Sequence, residues 1–115
     1  MSFKRADRVN ALLQRELGTI ISEELRDPRI GFSTVTAVEI TDDLKTAKVH
    51  VSVLGDDEQI TSTMKAIEEA KPYLRHELGS RVVLRFVPEL IFVNDRSAER
   101  SARIATLLRE AKEKK

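Results

Sequence analysis

The 115-residue sequence predicts an α+β sandwich, a three-stranded sheet with helices packed on one face. Three observations carry that prediction. Stretches with apolar residues every third or fourth position are interleaved with stretches that alternate apolar and polar, giving the order helix, strand, strand, helix, kink, helix, strand, helix. Pro72 falls inside an otherwise helical run and divides it. No internal repeat and no linker interrupts the order, so the whole of 1–115 reads as one domain.

The first helix is expected from Lys4 to Leu25, with Val9, Leu12, Leu13, Leu17, Ile20, Ile21 and Leu25 as a continuous apolar stripe. Its charge order opposes its own dipole: Lys4, Arg5 and Arg8 stand at the start, Glu23 and Glu24 near the end. A basic helix start that works against local stability points to a partner, although arginines that simply extend into water give the same pattern. Asp27-Pro28 stops the helix, and Arg29-Ile30-Gly31 turns the chain into an extended segment.

From Thr34 to Ile40 the pattern is strand-like, with Val38 and Ile40 on one face. Asp42-Asp43 makes the turn, and Ala47, Val49, Val51 and Val53 then alternate with Lys48, His50 and Ser52, which gives a half-buried antiparallel hairpin. Gly55 and Asp56-Asp57 end the second strand and open the stretch from Asp57 to Gly79, where Ile60, Met64, Ile67, Leu74 and Leu78 mark one buried face. Pro72 removes the hydrogen bond to the Glu68 carbonyl and crowds that turn at a cost of ~3 kcal/mol. Two helices therefore meet at a corner, with Lys71 expected as the cap of the second and Pro72 as its first residue. The amides of Tyr73 and Leu74 are then expected to be open to an anion.

Val82 to Val87 is nearly all β-favouring, and Leu90 to Val93 continues the character, so one strand that bends or leaves its ladder at Pro88 is expected. Arg81 and Arg85 would flank it on the face opposite Val82, Leu84 and Phe86. The last helix, Ser97 to Lys112, is expected to bury Ala98, Ile104, Ala105, Leu108 and Ala111 and to fray at its lysine-rich end.

With no cysteine, disulfides and thiolate metal sites are ruled out. No apolar run follows the first positive charges and none approaches a membrane span, so a soluble, cytoplasmic protein is expected. One Tyr, four Phe and no Trp argue against base stacking as the main mode of nucleic-acid binding. Total charge is near neutral, but Lys4, Arg5, Arg8 and Arg15 face only Asp7 in the first fifteen residues. Positions 56–70 hold five acids against Lys65, and positions 71–86 hold Lys71, Arg75, Arg81 and Arg85 against Glu77. Such segregation can focus a field on one face, and solvated helix faces can also look this way.

The run Leu25-Arg26-Asp27-Pro28-Arg29-Ile30-Gly31, followed by Thr36-Ala37-Val38-Glu39-Ile40, Asp43-Leu44, Ala47-Lys48-Val49 and Pro88-Glu89-Leu90, resembles the ribosome-binding factor A family over nearly the whole chain. The resemblance implies a KH-like fold of the second type (α-β-β-α-kink-α-β plus a C-terminal helix). It also implies binding to the small (30S) ribosomal subunit and its 16S rRNA during late maturation, including processing and folding near the rRNA 5′ end. A non-enzymatic mechanism, a role at low temperature, and release aided by an assembly GTPase come with it. The family's Ala-x-Gly kink signature is matched here by Ala70-Lys71-Pro72. The third position departs from the pattern, and since proline offers no amide, the side chains of Lys71 and Arg75 are expected to carry more of the contact.

The candidate RNA-contacting residues are Lys4, Arg5, Arg8 and Arg15 on the first helix, Lys71, Arg75 and His76 after the kink, and Arg81 and Arg85 beyond. No catalytic residue, metal site or cofactor is expected, and the protein is expected to act as a monomer. The paired acids Asp42-Asp43, Asp56-Asp57 and Glu68-Glu69 could be imagined holding a metal, but neighbours in sequence seldom converge on one point. A module that binds protein alone, through a sheet edge or the acids at 56–58, remains the alternative reading.

Overall fold

The computed structural model describes residues 5–113, with side chains described up to position 96 and again from 103 to 112. Helix α1 (Arg5–Thr19) runs directly into a π-helical turn (Ile20–Glu24). The turn closes with the Leu25 amide donating to the Ile20 carbonyl at 2.9 Å. Ile20 and Ile21, at the start of this turn, both enter the core. Leu25 is then extended, and Asp27 organises the exit by accepting from the Arg29 amide at 2.9 Å.

Strands β1 (Ser33–Ile40) and β2 (Thr46–Val53) form the expected antiparallel hairpin, with Val38 opposite Val49 and Ile40 opposite Ala47. The register shifts between Val35 and Ala37, so Thr36 is an extra residue that lets Val35 and Val38 both face inward. At the hairpin end Leu44 takes φ 61°, and Asp43 accepts from the Thr41 hydroxyl at 2.6 Å and the Lys45 amide at 3.0 Å. The edge strand is capped by side chains of α1. Asn10 accepts from the Ile40 amide at 2.8 Å, and Gln14 donates to the Thr36 carbonyl at 3.2 Å.

Helices α2 (Asp57–Glu69) and α3 (Lys71–Arg81) cross over to β3 (Glu89–Asn94), which lies parallel to β2 in the order β1-β2-β3. Asp56 caps α2 through a reciprocal pair with Gln59, both bonds 2.8 Å. One core joins Leu13, Leu17 and Ile20 to Val38, Val49 and Val51, and to Ile67, Leu74, Leu78 and Leu90. The alternate sheet positions Thr34, Glu39, Lys48 and Ile91 are exposed, so the three helices share one face of the sheet as expected.

Two expectations fail. Val82 to Val87 is not strand: Val82 closes α3, its amide donating to Leu78 at 2.9 Å, and Val83 is fully exposed. Pairing with β2 starts at Thr46 opposite Glu89, and the Glu89 amide already bonds the Lys45 carbonyl. Residues before 89 thus have no ladder left to join, whatever their β-propensity. Helix α4 (Ser97–Glu113) forms, but Ile104, Ala105, Leu108 and Ala111 are all exposed, and Ala98 lies outside the described side chains. Its apolar periodicity is real, yet no other element covers the described part of it.

Candidate nucleic-acid interface

On α1 the buried side is Val9, Leu13 and Leu17, and Arg5, Arg8 and Arg15 stand exposed on the solvent side. Arg5 and Arg8 have no ionic or hydrogen-bonding partner among the described residues. Arg15 makes one loose pair with Glu16 at 3.5 Å. Lys4 lies outside the described residues. Only Asp7 supplies an acid in the first turn, so this end of α1 carries surplus positive charge next to its own positive dipole end.

The corner lies at Ala70, one residue before the expected cap. Ala70 ends α2 at φ −84° and ψ 0°, its amide donating to the Ala66 and Ile67 carbonyls, and it also caps α3. Lys71 and Pro72 are then the first two residues of α3, where a missing amide costs nothing. The Leu74 amide is not open: it donates to the Ala70 carbonyl at 2.9 Å. Lys71 folds across the corner, 2.5 Å from Glu68 Oε2 and 5.8 Å from the centre of the Phe92 ring.

Arg75 is drawn inward as well. Its Nη2 donates to the Val87 carbonyl at 2.9 Å and its Nε to the Pro88 carbonyl at 3.2 Å, so the guanidinium fork pins the segment that leads into β3. Arg81 closes α3 and pairs with Glu24 at the end of the π-helical turn and with Glu77 at 3.0 Å, which ties the two helical units together. Those two hydrogen-bonded carboxylates push the Arg81 guanidinium further up from its ordinary value. Arg81 and Arg85 are therefore not spaced along a strand. Arg85 sits on the connecting segment with its guanidinium 5.5 Å from the centre of the exposed Phe86 ring. His76, on the outer side of α3, is exposed and without a partner among the described residues.

The cations predicted from sequence thus divide by what holds them. Lys71, Arg75 and Arg81 are engaged within the fold, whereas Arg5, Arg8, Arg15, His76 and Arg85 remain presented to solvent. The paired acids have structural work: Asp43 builds the hairpin turn, Asp56 caps α2, Asp57 meets Arg96 at 3.2 Å, and Glu69 meets Arg29 at 2.8 Å. No group of three potential metal ligands gathers among the described residues. No described helix is long and apolar enough to cross a membrane.

Sequence reasoning missed the exposed apolar side chains Phe32, Leu54, Val83 and Phe86. Phe32 follows Gly31 just ahead of β1, and Leu54 precedes Gly55 just after β2, so neither has a periodic neighbour that would assign it a face. The one available signal was their position beside turn residues, where a large apolar residue has no obvious burial.

The family model for ribosome-binding factor A matches residues 5–108. The chain is 49% identical over 113 residues to ribosome-binding factor A of Desulfitobacterium hafniense (strain DSM 10664 / DCB-2), covering 98% of this chain and 90% of that protein. It is 45% identical over 114 residues to ribosome-binding factor A of Staphylococcus carnosus (strain TM300), covering 99% of each. Among solved structures, it is similar to the crystal structure of ribosome-binding factor A from Thermus thermophilus, with a TM-score of 0.71 and 30% identity, over 80% of this chain and 97% of that one. A Thermus thermophilus ribosome-binding factor A homology model fitted into a cryo-EM map of a 30S complex gives a TM-score of 0.64 at 32% identity, over 76% of this chain and 91% of that one. With a family model matched over residues 5–108 and relatives up to 49% identical over nearly the whole chain, the chain belongs to the ribosome-binding factor A family.

Proposed function

We propose that this protein binds the small ribosomal subunit through its 16S rRNA and assists late maturation of that subunit, including events near the rRNA 5′ end. It acts in the cytoplasm as a single-domain monomer, without catalysis, is most needed at low temperature, and leaves with the help of an assembly GTPase. Family membership supports the ribosomal setting, as does a similar chain fitted into a 30S complex.

The observation that carries the RNA contact is the state of Arg5 and Arg8, two exposed guanidinium groups without a partner among the described residues at the dipole-unfavourable end of α1. Cations kept there at a cost to the helix are suited to phosphates, which would neutralise both the side chains and the helix end. Arg15, His76 and Arg85 extend the contact, and Lys4 continues it towards the N-terminus. Lys71, Arg75 and Arg81 serve first to hold the corner and the α3–β3 segment, and meet RNA only with whatever donors the fold leaves free. These contacts position the protein rather than read bases.

The experiment is co-sedimentation of the chain with purified small subunits, alongside binding to protein-free 16S rRNA. Binding to both, weakened together by Arg5→Ala with Arg8→Ala, is expected. Small-subunit binding that the double variant leaves intact removes α1 from the interface.

A further inference from the structure

We infer that Phe32 and Leu54, with the acidic start of α2 beside them, form a docking site for a basic protein segment that carries one large apolar anchor. The inference rests on small-subunit binding as proposed above, and adds a protein-facing contact centred on Phe32 and Leu54.

Both side chains are 74% exposed, which is unusual for a Phe and a Leu standing side by side. They are held together by backbone: the Leu54 amide donates to the Phe32 carbonyl at 3.0 Å, one step beyond the Ser33–Val53 pair of the hairpin. A concavity of about 390 Å³ opens between them, floored by Val53 and Ile60. A neighbouring one of about 440 Å³ shares both residues and reaches Asp56 and Glu58. At the rim Gly55 holds φ 143°, and any side chain there would enter the space of Gln59, which is locked in the α2 cap.

Charge selects the occupant. Asp56 and Glu58 are exposed at the rim, with the exposed Asp57 between them in sequence. Of the nearby cations, Arg29 is matched by Asp27 and Glu69 and Arg96 by Asp57, while Arg15, on the α1 side of Phe32, pairs loosely with Glu16 at 3.5 Å. Glu58 has no ionic or hydrogen-bonding partner among the described residues. Phosphates would be repelled here, whereas a segment rich in Lys or Arg is attracted and its apolar anchor fills the concavity. The site therefore fits polypeptide and disfavours RNA.

The test places a photo-crosslinking residue at Phe32, and separately compares Phe32→Ser with Leu54→Ser in one chain against the unaltered protein. The two residues are largely exposed, so the double variant should melt like the parent. Expected are crosslinks from position 32 to a Lys/Arg-rich stretch of a ribosomal protein on purified small subunits, and a roughly tenfold weaker affinity of the double variant for those subunits. Its binding to protein-free 16S rRNA should be unchanged. Glu58→Lys should weaken subunit binding in the same direction. Crosslinks to rRNA alone, no crosslink from bound protein, or equal loss on protein-free RNA would overturn the site. In those cases the unaltered chain still co-sediments and the proposed function stands. Failure of the unaltered chain to co-sediment overturns both.

Discussion

Arg75 reaches from α3 to the backbone of Val87, its Nη2 donating to that carbonyl at 2.9 Å, while Nε takes the Pro88 carbonyl. This fork fixes the end of the connection between α3 and β3, which has no ladder of its own. Arg75→Ala should lower stability by about 1.5–3 kcal/mol, because two partly buried carbonyls lose a charged donor. Arg75→Lys should recover little, since an ammonium lacks the planar fork. Denaturant unfolding checks both. A stable Arg75→Ala chain with weakened RNA binding would instead place this guanidinium on RNA.

Thr63 is fully buried, accepting from the Gly31 amide at 3.0 Å and donating to the Arg29 carbonyl at 3.1 Å. It holds the exit of the first helical unit against α2. Thr63→Val keeps the shape and orphans both backbone groups, so a loss of roughly 1–3 kcal/mol in unfolding free energy is expected. Thr63→Ser should retain most of the stability.

The Arg29 guanidinium hydrogen-bonded to Asp27 holds the Asp27 carboxyl down from 3.8 to about 2. A carboxylate lowered in the folded state contributes stability that is present above 3.8 and is lost as pH falls through about 2. Asp27→Asn should therefore be less stable than the parent at neutral pH, and the gap should close as pH falls through that window. A pH series of denaturant melts reads this directly, and a gap that persists in full at the acid end would contradict it.

How far the sequence was legible depended on whether a signal described a residue or its neighbour. Alternation in Ala47, Val49 and Val51 marks a face and needs nothing more, and Pro72 breaks a helix whatever surrounds it. Val82–Val87 has β-favouring side chains but no free ladder, because β2 is already in register with Glu89–Asn94. The stripe of Ile104 and Leu108 shows amphipathicity without saying what, if anything, covers it. Charge has the same limit: a lone arginine in the sequence reads alike whether it will meet a phosphate, as proposed for Arg8, or two carbonyls, as Arg75 does.

Labour is divided, in this proposal, between Arg5 and Arg8, which face RNA, and Arg75 and Arg81, which hold the frame. The most direct measurement is the salt dependence of 16S rRNA binding by the unaltered chain and by Arg5→Ala with Arg8→Ala. The double variant should melt within about 0.5 kcal/mol of the parent. Its slope of log-affinity against log-salt should flatten by roughly 0.7–0.9 for each phosphate that is no longer neutralised. An unchanged slope, with affinity intact, would contradict the division.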